Sequence, residues 1–225
     1  MPLERMAKMI KNVLFDLDGT LIDSAPSIIT GLKLTLEKFG YDIPDFATLK
    51  KCVGPPFTYS FPNYLHVRDE DFKEAVATYR HYYDKEDGCL NADVFEGVEG
   101  LLDSLVKRGY CLFVCTSKPE PTARKILSHL GIDKYFTEIC GATMDAKIDT
   151  KAQVINLCFE RAPWHLKEET VLIGDTMFDV DGANQVGIKC IGITWGSGTR
   201  DDLYEHGAIE VFDYPDEVLD YIEGN

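Results

Sequence analysis

A short apolar run that ends in two aspartates constrains the fold of this chain more than any other feature. The run covers residues 13–15, and it is followed by Asp16-Leu17-Asp18-Gly19-Thr20-Leu21. A strand over 12–17 would direct Asp16 and Asp18 to one face of a sheet. Two ionised carboxylates in one small site call for a bound cation or a shared proton, and Mg²⁺ suits oxygen ligands. Gly19 favours a sharp turn and Thr20 adds a hydroxyl group, although an Asp-Gly turn without chemistry is the simpler alternative.

Outside residues 24–92, short apolar runs alternate with amphipathic stretches. We predict strands at 12–17, 110–116, 170–174 and 188–194, with a weaker edge strand at 209–212. Helices are predicted near 97–108, 119–130, 151–161, 179–186 and 214–222. Strands that alternate with helices are typical of a parallel sheet with helical crossovers. The sequence therefore predicts an α/β protein.

The segment from 24 to 92 interrupts this alternation. It has helical patterns over 28–39 and 69–83, a helix start at Pro44-Asp45 and an interruption at Gly54-Pro55-Pro56. These signals are typical of a mostly helical insertion after the first strand. We therefore predict two domains: an α/β core formed by residues 1–23 and 93–225, and an α-helical domain formed by residues 24–92.

Composition limits the partners and the compartment. The formal net charge of −15 argues against a nucleic-acid partner, because proteins that bind phosphate backbones carry basic patches. The seven cysteines form no Cys-x-x-Cys pair, so we interpret them as free thiols in a reducing compartment. The N-terminal residues lack the apolar stretch of a signal peptide, and no run approaches transmembrane length. We expect a cytoplasmic monomer or homodimer with no membrane partner.

Three later segments carry polar groups where strands are predicted to end or helices to begin. They are Val114-Cys115-Thr116-Ser117-Lys118-Pro119, then Lys151 at the start of a helical pattern, then Gly174-Asp175-Thr176-Met177-Phe178-Asp179. The carboxyl ends of parallel strands meet at one edge of a sheet. We therefore expect these groups to converge on one crevice with Asp16 and Asp18.

Together with the segment Asp16–Ser24, these motifs resemble those of the haloacid dehalogenase superfamily of phosphatases, in the same order along the chain. Four ordered motifs are far more specific than any one of them. The resemblance is to the phosphoglycolate phosphatase-like members. It implies a Rossmann-like parallel-sheet core with a helical cap domain inserted after the first strand, and residues 24–92 would form that cap.

The resemblance also implies roles at the catalytic centre. Asp16 would be the nucleophile that forms an aspartyl-phosphate, and Asp18 would be the general acid and base. A Mg²⁺ ion would be held by Asp16, by Asp18 through its backbone carbonyl, and by Asp175. Asp179 would either bind the metal directly or orient Asp175 and a bound water.

Further residues are expected around the phosphate group and the rest of the substrate. The predicted phosphate-binding residues are Gly19, Thr20, Thr116, Ser117 and Lys151, of which Thr116 and Lys151 are also assigned to catalysis. The family more often has asparagine at the position of Ser117. Lys118 is either a substrate contact or a solvated loop lysine. Substrate specificity is predicted to come from Lys118 and from a rigid loop of the cap formed by Gly54, Pro55, Pro56 and Phe57.

The predicted function is a Mg²⁺-dependent phosphatase of a small phosphate monoester, of the phosphoglycolate or nucleoside monophosphate type. A sugar phosphomutase is the nearest enzymatic alternative, but Gly54-Pro55-Pro56 stands in place of the Ser-Arg-containing loop expected of a mutase. Phosphonate hydrolysis stays open, because Lys51 could form a Schiff base. A non-catalytic module that binds phosphorylated metabolites is the alternative from another class. Such a module would be expected to lack one of the key residues, and all of them are present: Asp16, Asp18, Lys151 and Asp175.

Overall fold

The structure is a computed structural model that describes residues 9–85 and 87–224. In chain order, its strands are β1 (Asn12–Phe15), β2 (Ile22–Asp23), β3 (Asp93–Val94), β4 (Cys111–Pro119), β5 (Glu138–Ala142), β6 (Thr170–Gly174), β7 (Lys189–Ile193) and β8 (Glu210–Phe212). Its helices are α1 (Ala25–Phe39), α2 (Phe46–Lys50), α3 (Phe57–Asn63), α4 (Asp69–Arg80), α5 (Val98–Lys107), α6 (Glu120–His129), α7 (Lys151–Arg161), α8 (Met177–Val186), α9 (Arg200–Glu205) and α10 (Pro215–Gly224). A π-helical turn at His81–Lys85 extends α4, and 3-10 turns lie at Gly88–Leu90, Asp133–Tyr135 and Lys167–Glu169.

The centre of the molecule is a parallel sheet in the order β5-β4-β1-β6-β7-β8. All residues of β1 are buried, as expected for a strand with partners on both sides and helices on both faces. Val13 and Phe15 pack into one hydrophobic cluster and Leu14 into the other, because alternate side chains of a strand point to opposite faces. The predicted α/β fold with a Rossmann-like parallel sheet is confirmed.

Helices α1 to α4 lie between β2 and β3, which pair antiparallel. In this pair Ile22 is opposite Val94, and Asp23 is opposite Asp93. The pair therefore joins the points where the chain leaves the sheet and returns to it. These points coincide with the predicted domain boundaries, although the division into two domains stays a prediction. We call residues 24–92 the cap segment.

The sequence does not predict β2, β3, β5, α3 or α9. Strand β5 begins with Glu138 and contains Gly141, and both residue types have low strand propensity. A Cβ atom at Gly141 would lie 2.7 Å from the Lys118 carbonyl oxygen, so the glycine permits the close approach of β4. Helix α3 begins directly after two prolines and contains Pro62, which together favour a loop in the sequence. Pro56, however, is the N-cap of α3, where its missing N–H is not needed.

Some boundaries also differ from the prediction. Strand β1 ends at Phe15 rather than at Leu17, and β4 continues to Pro119 with an irregular register after Thr116. Helix α8 begins at Met177, two residues before its predicted start. None of the described helices is both long and apolar enough to cross a membrane.

Candidate active site

Asp16 and Lys151 form the central ion pair of the site. Lys151 Nζ lies 2.5 Å from Asp16 Oδ1 and donates to the backbone carbonyl of Cys115 at 2.8 Å. Both side chains are buried. Burial raises the pKa of Asp16 to about 7, against the opposing effect of Lys151. Burial lowers the pKa of Lys151, but the charges of Asp16 and Asp179 outweigh it and hold that pKa above its usual value, so the lysine is charged.

The position of Lys151 follows from the way α7 begins. Thr150 caps the helix in a reciprocal capping box with Gln153, which makes Lys151 its first residue. Gly182 of α8 faces the lysine stem, and a Cβ atom there would lie 2.6 Å from Lys151 Cβ. The close packing of α7 on α8 therefore directs this ammonium group inward.

Asp175 follows β6 and is completely buried. Its Oδ1 accepts a hydrogen bond from Thr20 Oγ1 at 3.3 Å, and its Oδ2 accepts one from the Ser197 amide at 2.7 Å. A Cβ atom at Gly19 or at Gly196 would lie 2.3 Å from Oδ2. The loops after β1 and β7 thus close on this carboxylate because both have glycine at the contact. Burial raises the pKa of Asp175 well above its usual value, and the charges of Asp179 and Asp16 raise it further.

Asp179 has two contacts of different kinds. Its Oδ2 accepts hydrogen bonds from the Thr176 amide at 3.0 Å and from Thr176 Oγ1 at 2.8 Å, which fixes the start of α8. Its Oδ1 lies 2.8 Å from Lys151 Nζ in an ion pair, but it accepts no aligned hydrogen bond from the described residues. This buried oxygen therefore still has a lone pair that could bind a metal ion or accept a hydrogen bond.

Asp16, Asp175 and Asp179 together fit a divalent cation. One oxygen from each of them lies within 4.8 Å of the others. Lys151 is paired with two of these carboxylates, so one positive charge stands against three negative charges in this part of the site. Buried like charges at such distances either retain protons or bind a cation. The donor set contains only oxygen atoms, which Mg²⁺ prefers.

Asp18 is paired with a second lysine. Its Oδ1 accepts from Ser24 Oγ at 2.5 Å, and its Oδ2 lies 2.8 Å from Lys118 Nζ. Lys118 Nζ also donates to the Tyr83 hydroxyl of the cap segment at 3.1 Å. Burial lowers the pKa of Lys118, but the Asp18 charge and Tyr83 outweigh it and raise that pKa above its usual value. Lys118 is 9% exposed, so it is not the solvated loop lysine considered above.

The predicted phosphate-binding residues take different positions. Gly19 and Thr20 contact Asp175. Thr116 is buried next to Cys115, and its Oγ1 accepts from the Lys118 amide at 3.1 Å. Ser117 lines the cavity described next. Gly19 and Thr20 therefore lie at Asp175, and Ser117 shares the cavity with Asp18. The contact of these residues with phosphate stays a prediction.

A cavity of about 100 Å³ lies between the cap segment and the carboxyl edge of the sheet. The core contributes Asp18, Ser117 and Lys118 to its lining. The cap segment contributes residues 54–57 and Tyr79, among others. The Phe57 ring packs against Tyr79, with ring centroids 4.7 Å apart. All of the predicted specificity residues therefore line one cavity, and their effect on substrate choice stays a prediction.

Lys51 and Tyr59 of the cap segment do not line this cavity. Lys51 is exposed at the end of α2 and is not part of the cavity lining. The Tyr59 ring packs against Phe178 of α8, with ring centroids 5.0 Å apart. The position of Lys51 argues against a Schiff base in this cavity.

Sequence reasoning gave no role to Ser24, Tyr83 or Ser197. Ser24 ends the first motif, and its place six residues after Asp18 is a signal that could have indicated the contact. The contact of Ser197 with Asp175 was signalled by Gly196 and Gly198, which follow a predicted strand at the catalytic edge of the sheet. Tyr83 had no signal of its own, because only the folded cap segment brings it to Lys118.

Comparison with known proteins identifies the family. The profile of a family described as "Haloacid dehalogenase-like hydrolase" matches residues 13–193. The chain belongs to the haloacid dehalogenase-like hydrolases. It is 36% identical over 195 residues to a 5'-nucleotidase of Pseudomonas aeruginosa, with 87% of each chain covered. It is 30% identical over 219 residues to a phosphoglycolate phosphatase of Yersinia pestis, with 94% of this chain and 90% of that one covered.

A solved structure of a predicted phosphatase from Clostridium acetobutylicum is also similar, with a TM-score of 0.92 and 37% identity. The match covers 96% of this chain and 100% of that one. The predicted membership of the haloacid dehalogenase superfamily is confirmed, and this haloacid dehalogenase-like hydrolase is a phosphatase.

Proposed function

We propose that this phosphatase hydrolyses a small phosphate monoester, with Mg²⁺ as cofactor and Asp16 as nucleophile. The buried group formed by Asp16, Asp175, Asp179 and Lys151 carries the proposal. Phosphoryl transfer needs a nucleophile, a proton donor and positive charge around the transferring oxygens. Residues of each kind are present in this site, and two of them, Asp18 and Lys118, also line the cavity. The names of the Pseudomonas and Yersinia relatives, a nucleotidase and a phosphoglycolate phosphatase, support a monoester substrate.

Asp16 and Asp18 divide the reaction into two steps. In the first, which requires Asp18 in its protonated form, a carboxylate oxygen of Asp16 attacks phosphorus, the bond from phosphorus to the ester oxygen breaks, and Asp18 gives its proton to the leaving alkoxide. In the second, Asp18 takes a proton from water, which attacks the aspartyl-phosphate and releases inorganic phosphate and Asp16. The Lys151 ammonium, fixed at 2.5 Å from Asp16 Oδ1, supplies positive charge beside the attacking group.

The residues that would hold Mg²⁺ are Asp16, Asp175 and the backbone carbonyl of Asp18. Asp179 would be either a further ligand or the support of Lys151 and of a bound water. A bound Mg²⁺ would supply positive charge that offsets the carboxylates and the phosphate. The free acceptor capacity of Asp179 Oδ1 is consistent with either role.

Asp175→Asn tests the metal assignment. The variant removes one negative charge and keeps only one of the two oxygens that accept from Thr20 and from Ser197, so we expect the Mg²⁺ concentration for half-maximal activity to rise by about 10-fold or more. Initial rates on a panel of phosphate monoesters, measured against Mg²⁺ and with a chelator, give this value. Without Mg²⁺, the variant should unfold at a temperature no lower than the parent, because Asp175 adds to the excess of buried negative charge.

The parent enzyme provides the decisive control for that experiment. Chelator should abolish its activity and Mg²⁺ should restore it. Full activity in chelator would contradict the metal assignment. Transfer of phosphate between two positions of a sugar, without release of inorganic phosphate, would indicate the mutase instead.

Asp18→Asn tests the proton donor. An amide cannot give or take a proton here, and the loss matters most when the leaving alkoxide is most basic. We expect an alkyl phosphate to lose about 10²-fold or more in kcat, and an aryl phosphate with an acidic phenol to lose clearly less. Asp103→Asn, at an exposed aspartate of α5, is the matched control. Equal losses on both substrates would remove Asp18 from the role of acid.

A further inference from the structure

The loop between β7 and α9 supports both oxygens of Asp175, one directly and one through another residue. The Ser197 amide donates to Asp175 Oδ2 at 2.7 Å. The Trp195 indole N–H donates to the Thr20 carbonyl at 3.0 Å, and the Thr20 hydroxyl in turn donates to Asp175 Oδ1 at 3.3 Å. We call residues 195–198 the backing loop. The two-step reaction proposed above gives this loop no part.

Glycines allow the backing loop to approach Asp175 so closely. A Cβ atom at Gly196 would lie 2.3 Å from Asp175 Oδ2, and also 2.3 Å from the Gly19 carbonyl oxygen. A Cβ atom at Gly198 would overlap the backbone carbonyl oxygen of Asp175. Only glycine at these two positions therefore lets the backbone of the loop reach this carboxylate.

The backing loop is itself fixed from two directions. The Trp195 ring packs against the larger hydrophobic cluster of the protein. Lys50 of the cap segment donates to the Gly196 carbonyl at 3.1 Å. A carboxylate that such a loop holds in place has less freedom to lose when it binds an ion, and this favours binding.

We infer that Trp195 is a positioning residue for Asp175, the proposed Mg²⁺ ligand, and that it acts through Thr20. The inference rests on the proposed function, because it takes Asp175 as a ligand of the ion. Each carboxylate oxygen has two lone pairs, so Asp175 can keep both hydrogen bonds and still bind a cation. Hydrogen-bond partners of this kind orient a metal ligand and change the affinity for the metal.

The indole N–H is the group that matters in this inference. Thr20 is buried, and without the indole its carbonyl would lose this donor. The backbone at Thr20 would then be free to shift, and the hydroxyl that supports Asp175 Oδ1 would shift with it. The effect of Trp195 should therefore appear in the binding of the ion.

Trp195→Phe tests the inference, because it keeps an aromatic ring in the hydrophobic cluster and removes the N–H donor. Thermal unfolding measured against Mg²⁺ concentration, without substrate, gives an apparent Kd for the ion. We expect this Kd to rise by about 10-fold in the variant. At saturating Mg²⁺, kcat and KM on a phosphate monoester should return close to the parent values. A role in folding alone would lower the unfolding temperature at every Mg²⁺ concentration and leave the Kd unchanged.

Trp164→Phe is the matched control, because Trp164 is the other tryptophan of the chain and is 68% exposed. It should leave the Kd for Mg²⁺ unchanged. Thr20→Val removes the hydroxyl with little change of shape, and the double variant Thr20→Val/Trp195→Phe then tests the route. If Trp195 acts through Thr20, its substitution should add little to the effect of Thr20→Val. Effects that multiply would overturn the inference, and so would a parental Kd in Trp195→Phe.

Metal binding separates this inference from the proposed function. If the parent binds Mg²⁺ but hydrolyses no monoester, a Kd that rises in Trp195→Phe and not in Trp164→Phe still supports the role of Trp195. Hydrolysis by the parent, with an unchanged Kd in Trp195→Phe, would leave the phosphatase in place and remove that role. A parent whose unfolding temperature does not respond to Mg²⁺ would overturn both the metal assignment and this inference.

Discussion

Asp16→Asn is expected to abolish turnover while the protein stays folded. The amide has nearly the same shape as the carboxylate but lacks the nucleophilic oxygen, so no aspartyl-phosphate can form. We expect kcat to fall by about 10⁴-fold or more, which corresponds to about 5.5 kcal/mol of transition-state stabilisation. Steady-state rates measured with saturating Mg²⁺ give the size of the loss.

Acid quenching followed by mass spectrometry tests the same step directly. The parent should show a phosphorylated peptide that contains Asp16 during turnover, and the variant should not. Asp181→Asn is the matched control, because Asp181 lies on α8 and pairs with His206 away from the cavity. A phosphorylated peptide elsewhere, or an active Asp16→Asn enzyme, would assign the nucleophile to another group.

Lys151→Met should have the largest combined effect on stability and activity. The substitution leaves Asp16 and Asp179 buried without their counter-ion, and breaking a buried ion pair on one side costs about 3–5 kcal/mol. Activity should fall by about 10³-fold or more, because the fixed positive charge beside the attacking oxygen is lost. Thermal unfolding and initial rates provide the two measurements.

The dependence on Mg²⁺ makes this second prediction specific. Without Lys151 the excess of negative charge is greater, so added Mg²⁺ should raise the unfolding temperature of the variant more than that of the parent. Lys107→Met removes an exposed lysine that pairs with Asp103 and should change neither stability nor activity measurably. A Lys151 variant as stable as the parent in the absence of Mg²⁺ would show that the buried carboxylates are protonated and do not need the lysine.

Most of the sheet was predictable from sequence, because parallel strands buried on both faces are continuous apolar runs. Strand β1 and its neighbours β4 and β6 have that character, and the helices between them end at glycines or begin at caps. Strand β5 is not such an apolar run. It forms through its pairing with β4, which Gly141 permits, and not through the strand propensity of its own residues. Helix α3 was not predicted, because proline is more common in loops than in helices. Here Pro56 is the N-cap, a position where a helix tolerates proline.

The sequence predicted which aspartates belong to the candidate site, but it did not predict the ion pairs that they form. Local motifs indicate Asp16, Asp18 and Asp175, because each follows a strand at the same edge of the sheet. No local pattern shows that Asp16 and Asp18 pair with different lysines, or that Asp179 contacts Lys151. These pairings depend on the packing of α7 against α8 and of the cap segment against the core.

The antiparallel pair of β2 and β3 joins the two crossings of the chain between the sheet and the cap segment. The chain crosses to the cap segment and back at Asp23 and Asp93, which lie opposite each other, so any swing of this segment would turn about one short axis. Ser24 stands directly beyond that axis and holds the Asp18 carboxylate through its hydroxyl. Because a residue next to the axis moves least, such a swing would leave that bond in place. The Asp18 carboxylate would then keep its Ser24 partner while the product leaves.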